Sequence, residues 1–80
     1  MGGIDTKAII EINQAASRYQ SSIVLHAGSR SIDVKSILGL TITLVRDENY
    51  TLEIHGSDEA EATPGMLEVF SRHGMRVDVK

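Results

Sequence analysis

A chain of 80 residues that is 41% hydrophobic and 24% charged, with no Cys and one Pro, suits one small globular domain over residues 1–80 and is too apolar to stay disordered. Without Cys it has neither a disulfide framework nor a thiolate metal site, and the wide spacing of His26, His55 and His73 does not suit zinc, so no metal or cofactor is expected. A net charge of −3 without a basic cluster argues against nucleic acid, short apolar runs argue against a membrane span, and Met1-Gly2-Gly3 opens onto polar sequence instead of a signal segment, which points to the cytoplasm.

After Asp5, the residues Ala8, Ile9, Ile12, Ala15, Ala16 and Tyr19 recur with a period of about 3.6, between Lys7, Glu11, Asn13, Gln14 and Arg18. This spacing predicts an amphipathic helix. Asp5 is its N-cap, because a short carboxylate can accept from an unpaired N–H of the first turn. Residues 23–27, a Gly28-Ser29 turn signal, and residues 30–34 with alternating Ile32 and Val34 predict a hairpin. Residues 36–40 predict a helix of one or two turns capped by Ser36, which residues 41–45 either prolong or follow with a strand. Residues 46–49 read as a polar loop, and residues 50–55 alternate as a third strand before Gly56. Within residues 57–73, Pro64 removes a backbone donor, so a helix is expected to begin there with Thr63 as N-cap and Gly74 as stop. Met66, Leu67, Val69 and Phe70 would face inward. Met75, Val77 and Val79 then alternate with Arg76, Asp78 and Lys80 as a final strand. Helix, strand, strand, short helix, strand, helix, strand is an α+β order, with helices covering one face of a mainly antiparallel sheet.

A helix ending in Ala16-Ser17-Arg18-Tyr19, the hairpin after it, the word Lys35-Ser36-Ile37-Leu38-Gly39 and the later Gly56-Ser57-Asp58-Glu59 occur in that order. Together they resemble the HPr phosphocarrier family of the bacterial sugar phosphotransferase system, over roughly residues 3–70. The resemblance implies an HPr-like open-faced sandwich and a small partner protein, not an enzyme. In the family's active-site word, Gly-Ile-His-Ala-Arg-Pro-Ala, the histidine accepts a phosphoryl group from enzyme I charged by phosphoenolpyruvate, and the arginine neutralises it. Here Gly3-Ile4-Asp5-Thr6-Lys7-Ala8-Ile9 stands in its place, with Asp5 for the histidine, Lys7 for the arginine and Ala8 for the proline. Three further departures concern the elements. The family's first strand has no room ahead of this word, Pro64-Gly65 interrupt the last helix, and a strand at residues 75–80 is additional.

A phosphohistidine relay needs an imidazole nitrogen that attacks phosphorus and later leaves, with helix N–H groups and a cation holding the phosphate. Asp5 offers either a plain cap or a fixed negative charge imitating the phosphorylated form, and Lys7 lacks the planar fork of arginine. The resemblance therefore implies a divergent regulatory or adaptor protein without histidine phosphotransfer. The alternatives are a phosphocarrier with an unconventional acceptor and a structural module that oligomerises. Ser36 matches the family's regulatory serine, the substrate of HPr kinase in Gram-positive bacteria, where a phosphate at a helix start meets backbone donors; otherwise it is a plain cap. Ile37, Leu38 and Leu40 match the apolar short helix that docks on partners, here phosphotransferase-system or carbon-regulatory proteins, with Ile37 and Leu40 expected in the core and Leu38 exposed. His26, His55 and His73 read as solvated residues at element ends.

In HPr-like folds the first strand pairs with the one matching residues 50–55, and its loss would leave that edge open to aggregation. Residues 75–79 are predicted to fill the vacant edge. Within one chain they would run parallel, since they are reached through the last helix; antiparallel pairing from a second copy is the route to a homodimer.

Overall fold

The computed structural model describes residues 5–39 and 48–80. Helix α1, Thr6–Ser17, starts where Asp5 leaves extended backbone (φ −74°, ψ 166°) and its Oδ1 accepts from the Ala8 N–H at 2.8 Å. Ala8, Ile12 and Ala16 form its buried stripe, flanked by half-buried Ile9, Ala15 and Tyr19. Strands β1, Ser22–Ala27, and β2, Arg30–Asp33, make the predicted hairpin, with Leu25 opposite Ile32 and Gly28 supplying the positive φ of 62° that the turn requires. A 3-10 helix, Val34–Gly39, follows at once. Strand β3, Asn49–His55, lies antiparallel on the other side of β1, pairing Ile23 with Ile54 and Leu25 with Leu52.

Helix α2, Glu59–Arg72, then crosses over the sheet to β4, Arg76–Val79. The sheet order is β2-β1-β3-β4, and β4 runs parallel to β3 with Tyr50 opposite Val77 and Leu52 opposite Val79. The last strand thus fills the outer edge of β3 within one chain and in the predicted direction. The Lys80 N–H prolongs the ladder to the Leu52 carbonyl at 2.9 Å. Alternation puts Ile23, Leu25, Tyr50, Leu52 and Ile54 on the face that meets Ile12 and Ala16 of α1 and Met66 and Phe70 of α2, and all of these are buried. Each large side chain withdrawn from water there stabilises the fold by roughly 1.5–3 kcal/mol before its entropy cost. Val79 shares the inward face of β4 yet stays 51% exposed at the open edge.

Two local expectations need correction. Thr63 does not start the last helix: α2 begins at Glu59, Pro64 lies inside it, and the Thr63 hydroxyl donates to the Glu59 carbonyl at 2.8 Å. Pro64 is tolerated because Ala60, whose carbonyl loses the usual donor, and Pro64 itself are both exposed, so water can take the donor's place. Ser36 does not cap its helix. The 3-10 turn opens at Val34, and the Asp33 carboxylate, accepting from the Lys35 N–H at 3.1 Å, does the capping. The expectations for residues 41–45 and most of the loop at 46–49 lie outside the described residues.

Candidate functional site

Asp5 and Lys7 sit exposed at the start of α1. The Asp5 carboxylate is engaged by the Ala8 N–H, and the Asp5 carbonyl accepts from the Ile9 N–H at 3.1 Å. The helix start that the resemblance marks for an imidazole therefore carries a carboxylate folded onto the helix's own donors. Such a group stabilises the helix through both the hydrogen bond and the positive end of the macrodipole.

Ser36 is exposed on the 3-10 helix. The backbone just before it is tied to α1 at two places. The Asn13 amide donates to the Lys35 carbonyl at 2.9 Å and to the Val34 carbonyl at 3.3 Å. Lys35 Nζ donates to the Tyr19 carbonyl, beyond the end of α1, at 2.6 Å. Val34 is fully buried beneath these ties. Asp5 and Ser36 thus belong to elements joined through α1. The docking expectation for Ile37, Leu38 and Leu40 concerns side chains outside the described residues.

None of the histidines lies at the start of α1. On the sheet face turned away from the helices, His26 Nε2 meets Glu53 Oε1 and His55 Nε2 meets Glu53 Oε2, both at 2.7 Å, while Lys80 Nζ reaches Oε1 at 3.3 Å. Hydrogen bonds from His55, His26 and Lys80, in that order of weight, hold the Glu53 carboxyl down at about 2. His26 Nδ1 also contacts the Ser31 hydroxyl at 3.1 Å. His73 joins Glu11 at 3.0 Å across α1 and α2, where Arg72 meets the same Glu11 oxygen at 2.9 Å. The His73 hydrogen bond leads in lowering the pKa of Glu11. Among the described residues no group of three or more His, Asp or Glu is placed to hold a metal ion.

Asp58 in the word Gly56-Ser57-Asp58-Glu59 is a structural latch. Its carboxylate accepts from the Ser21 hydroxyl, the Gln20 N–H at 2.9 Å and the Ser21 N–H at 3.0 Å, and these bonds, the hydroxyl's foremost, lower its pKa. Glu59 Oε1 meanwhile accepts from the Gly56 N–H at 3.2 Å, closing the loop into α2. Sequence reasoning missed the roles of Asn13, Glu53 and the Asp58 carboxylate. Asn13 carried one usable signal: it stands four residues after Ile9, on the flank of the apolar stripe.

A family model described as the PTS HPr component phosphorylation site matches residues 1–72. Solved structures similar to this chain include two from bacteria. Crh of Bacillus subtilis, a catabolite repression protein crystallised as a dimer with a swapped domain, gives a TM-score of 0.76 at 24% identity, covering 94% of this chain and 87% of Crh. The HPr dimer of Thermoanaerobacter tengcongensis gives a TM-score of 0.75 at 22% identity, covering 88% of this chain and 82% of that one.

Proposed function

The chain belongs to the PTS-HPr family, and from that membership we propose that it acts as a regulatory or adaptor protein of the phosphotransferase system without relaying phosphate through histidine. The observation that carries this reading is Asp5. At the aligned helix start a carboxylate replaces the imidazole and spends its oxygen on the Ala8 N–H. Its partner Lys7 is a point charge without the bidentate fork that suits a phosphoryl group. The three histidines are engaged elsewhere, His26 and His55 with Glu53 and His73 with Glu11. Asp5 then supplies a constant negative charge where a phosphocarrier would be charged only transiently.

In this reading the protein is not itself an enzyme. It works in the cytoplasm as one HPr-like domain, and no described helix is long and apolar enough to cross a membrane. Its input is phosphorylation of Ser36 by an HPr kinase, a role supported by the exposure of Ser36 and by the word Lys35-Ser36-Ile37-Leu38-Gly39. Ile37, Leu38 and Leu40 beside it provide the apolar contact for a carbon-regulatory or phosphotransferase-system partner. Self-association is a second reading, favoured by the dimeric state of the Crh and HPr structures named above.

The experiment is phosphoryl transfer from enzyme I and phosphoenolpyruvate to the wild type and to Asp5→His combined with Lys7→Arg. The double variant should gain acid-labile label on the new histidine while the wild type stays unlabelled. Equal histidine labelling of both would overturn the reading.

A further inference from the structure

Resting on the reading of Ser36 as a phosphorylated serine, we propose that Asn13 is the positioning residue that presents Ser36, so that the kinase recognises the clamped pair of α1 and the 3-10 helix, not the local sequence alone. A 3-10 turn is a weakly determined element: its hydrogen bonds are poorly aligned and few, and the Val34–Gly39 turn is only 6 residues long. Ser36 stands in its middle, where fraying would change the direction of the hydroxyl. The carbonyls of the two preceding residues are held by one side-chain amide, Asn13 Nδ2, at 3.3 and 2.9 Å. That amide comes from α1, more than 20 residues earlier, and is itself partly buried. The opposite end of the contact is fixed by Lys35 Nζ on the Tyr19 carbonyl and by buried Val34. Asn13 has the chemistry the position demands, because two convergent carbonyl oxygens need a donor, and its NH₂ supplies two N–H groups at once.

Asn13 does not touch the phosphoryl donor in this account. Its effect is to hold the free protein in the shape that the kinase binds. Losing it should therefore weaken recognition and leave turnover nearly intact, since the bound complex can re-form the helix at the cost of ordering it.

The test measures Ser36 phosphorylation by HPr kinase and ATP, with the site located by mass spectrometry, together with hydrogen exchange of amides 37–39 in the free protein. Asn13→Leu removes both donors at similar size. Asn13→Asp keeps the shape but turns an acceptor toward the two carbonyls, and so guards against a packing artefact in the first variant. Glu11→Ala, on the same helix but facing Arg72 and His73, controls for general loosening of α1. Both Asn13 variants should raise KM about tenfold with kcat little changed and speed exchange of those amides by a similar factor, whereas Glu11→Ala should move neither. Faster exchange with an unchanged KM would overturn the presentation role, and unchanged exchange would overturn the clamp itself. Absence of phosphate on wild-type Ser36 would remove the underlying reading and the presentation role with it, a result distinct from a phosphorylated wild type whose Asn13 variants keep the wild-type KM, which would overturn the presentation role alone.

Discussion

Asp5 combines two roles that substitution can separate. As a cap it needs only an oxygen acceptor for the Ala8 N–H, whereas as an imitation of a phosphoryl group it needs its charge. Asp5→Ala should cost about 1 kcal/mol in urea unfolding, and Asp5→Asn only a few tenths, because Asn caps nearly as well. Equal losses for both would assign the stabilisation to charge instead of to the hydrogen bond. Glu53 makes a different prediction, in pH. Its folded pKa is lowered from 4.5 to about 2, so the unfolded chain takes up the proton first as pH falls. The stability it contributes is therefore complete above the unfolded value, declines as pH falls below 4.5, and is lost as pH passes through about 2. Melting temperatures of the wild type and Glu53→Gln should differ at pH 4.5 and converge near pH 2; a gap that stays constant would contradict the assignment. Asp58, lowered from 3.8 with the Ser21 hydroxyl as first cause, loses its contribution in the same direction. The cap at Asp5 was legible because capping is local. The partners of Glu53, Asp58 and Asn13 are mostly 21 to 38 residues away and leave no periodic trace in the sequence.

The elements that could be read were those whose signal is periodic or glycine-marked: the α1 stripe, the hairpin around Gly28, the alternation of β3 and the stop at Gly74, which has a φ of 73°. The helix starts were less legible. Pro64 reads as a boundary because an interior proline removes a helix hydrogen bond, yet Ala60 and Pro64 both lie on the exposed side of α2, where water can serve the freed carbonyl. Ser36 looked like a cap, but Asp33 reached the turn first with its own carboxylate. Gly56, ahead of α2, and Gly65, in its middle, test how closely the neighbouring chain packs there. A Cβ on Gly56 would overlap the Ser21 backbone, and its φ of 156° is unfavourable for other residues, so Gly56→Ala should cost about 2 kcal/mol or more. A Cβ on Gly65 would meet the Tyr19 hydroxyl, the far end of a side chain that can swing away, while Ala gains up to about 1 kcal/mol in a helix. Gly65→Ala should therefore be near neutral in thermal unfolding. A ranking in which Gly65→Ala is the worse of the two would show that the Tyr19 ring cannot yield.

The position and direction of β4 followed from an accounting of sheet edges, because an open β3 edge must be covered and a strand arriving through a helix returns parallel. Deleting residues 75–80 would uncover the β3 ladder, remove buried Met75 and free Glu53 from Lys80. The truncated chain should melt lower and aggregate in light scattering; a soluble monomer of equal stability would show that the edge needs no cover. The fold sets Asp5 at the head of α1 and holds Ser36 beside the other end of that helix. In the proposed function this scaffold signals without carrying phosphate on histidine. Intact-mass measurement of the wild-type protein after prolonged incubation with enzyme I and excess phosphoenolpyruvate decides the matter. The mass should remain that of the unmodified chain, and one added phosphate that is lost in acid and kept in base would contradict it.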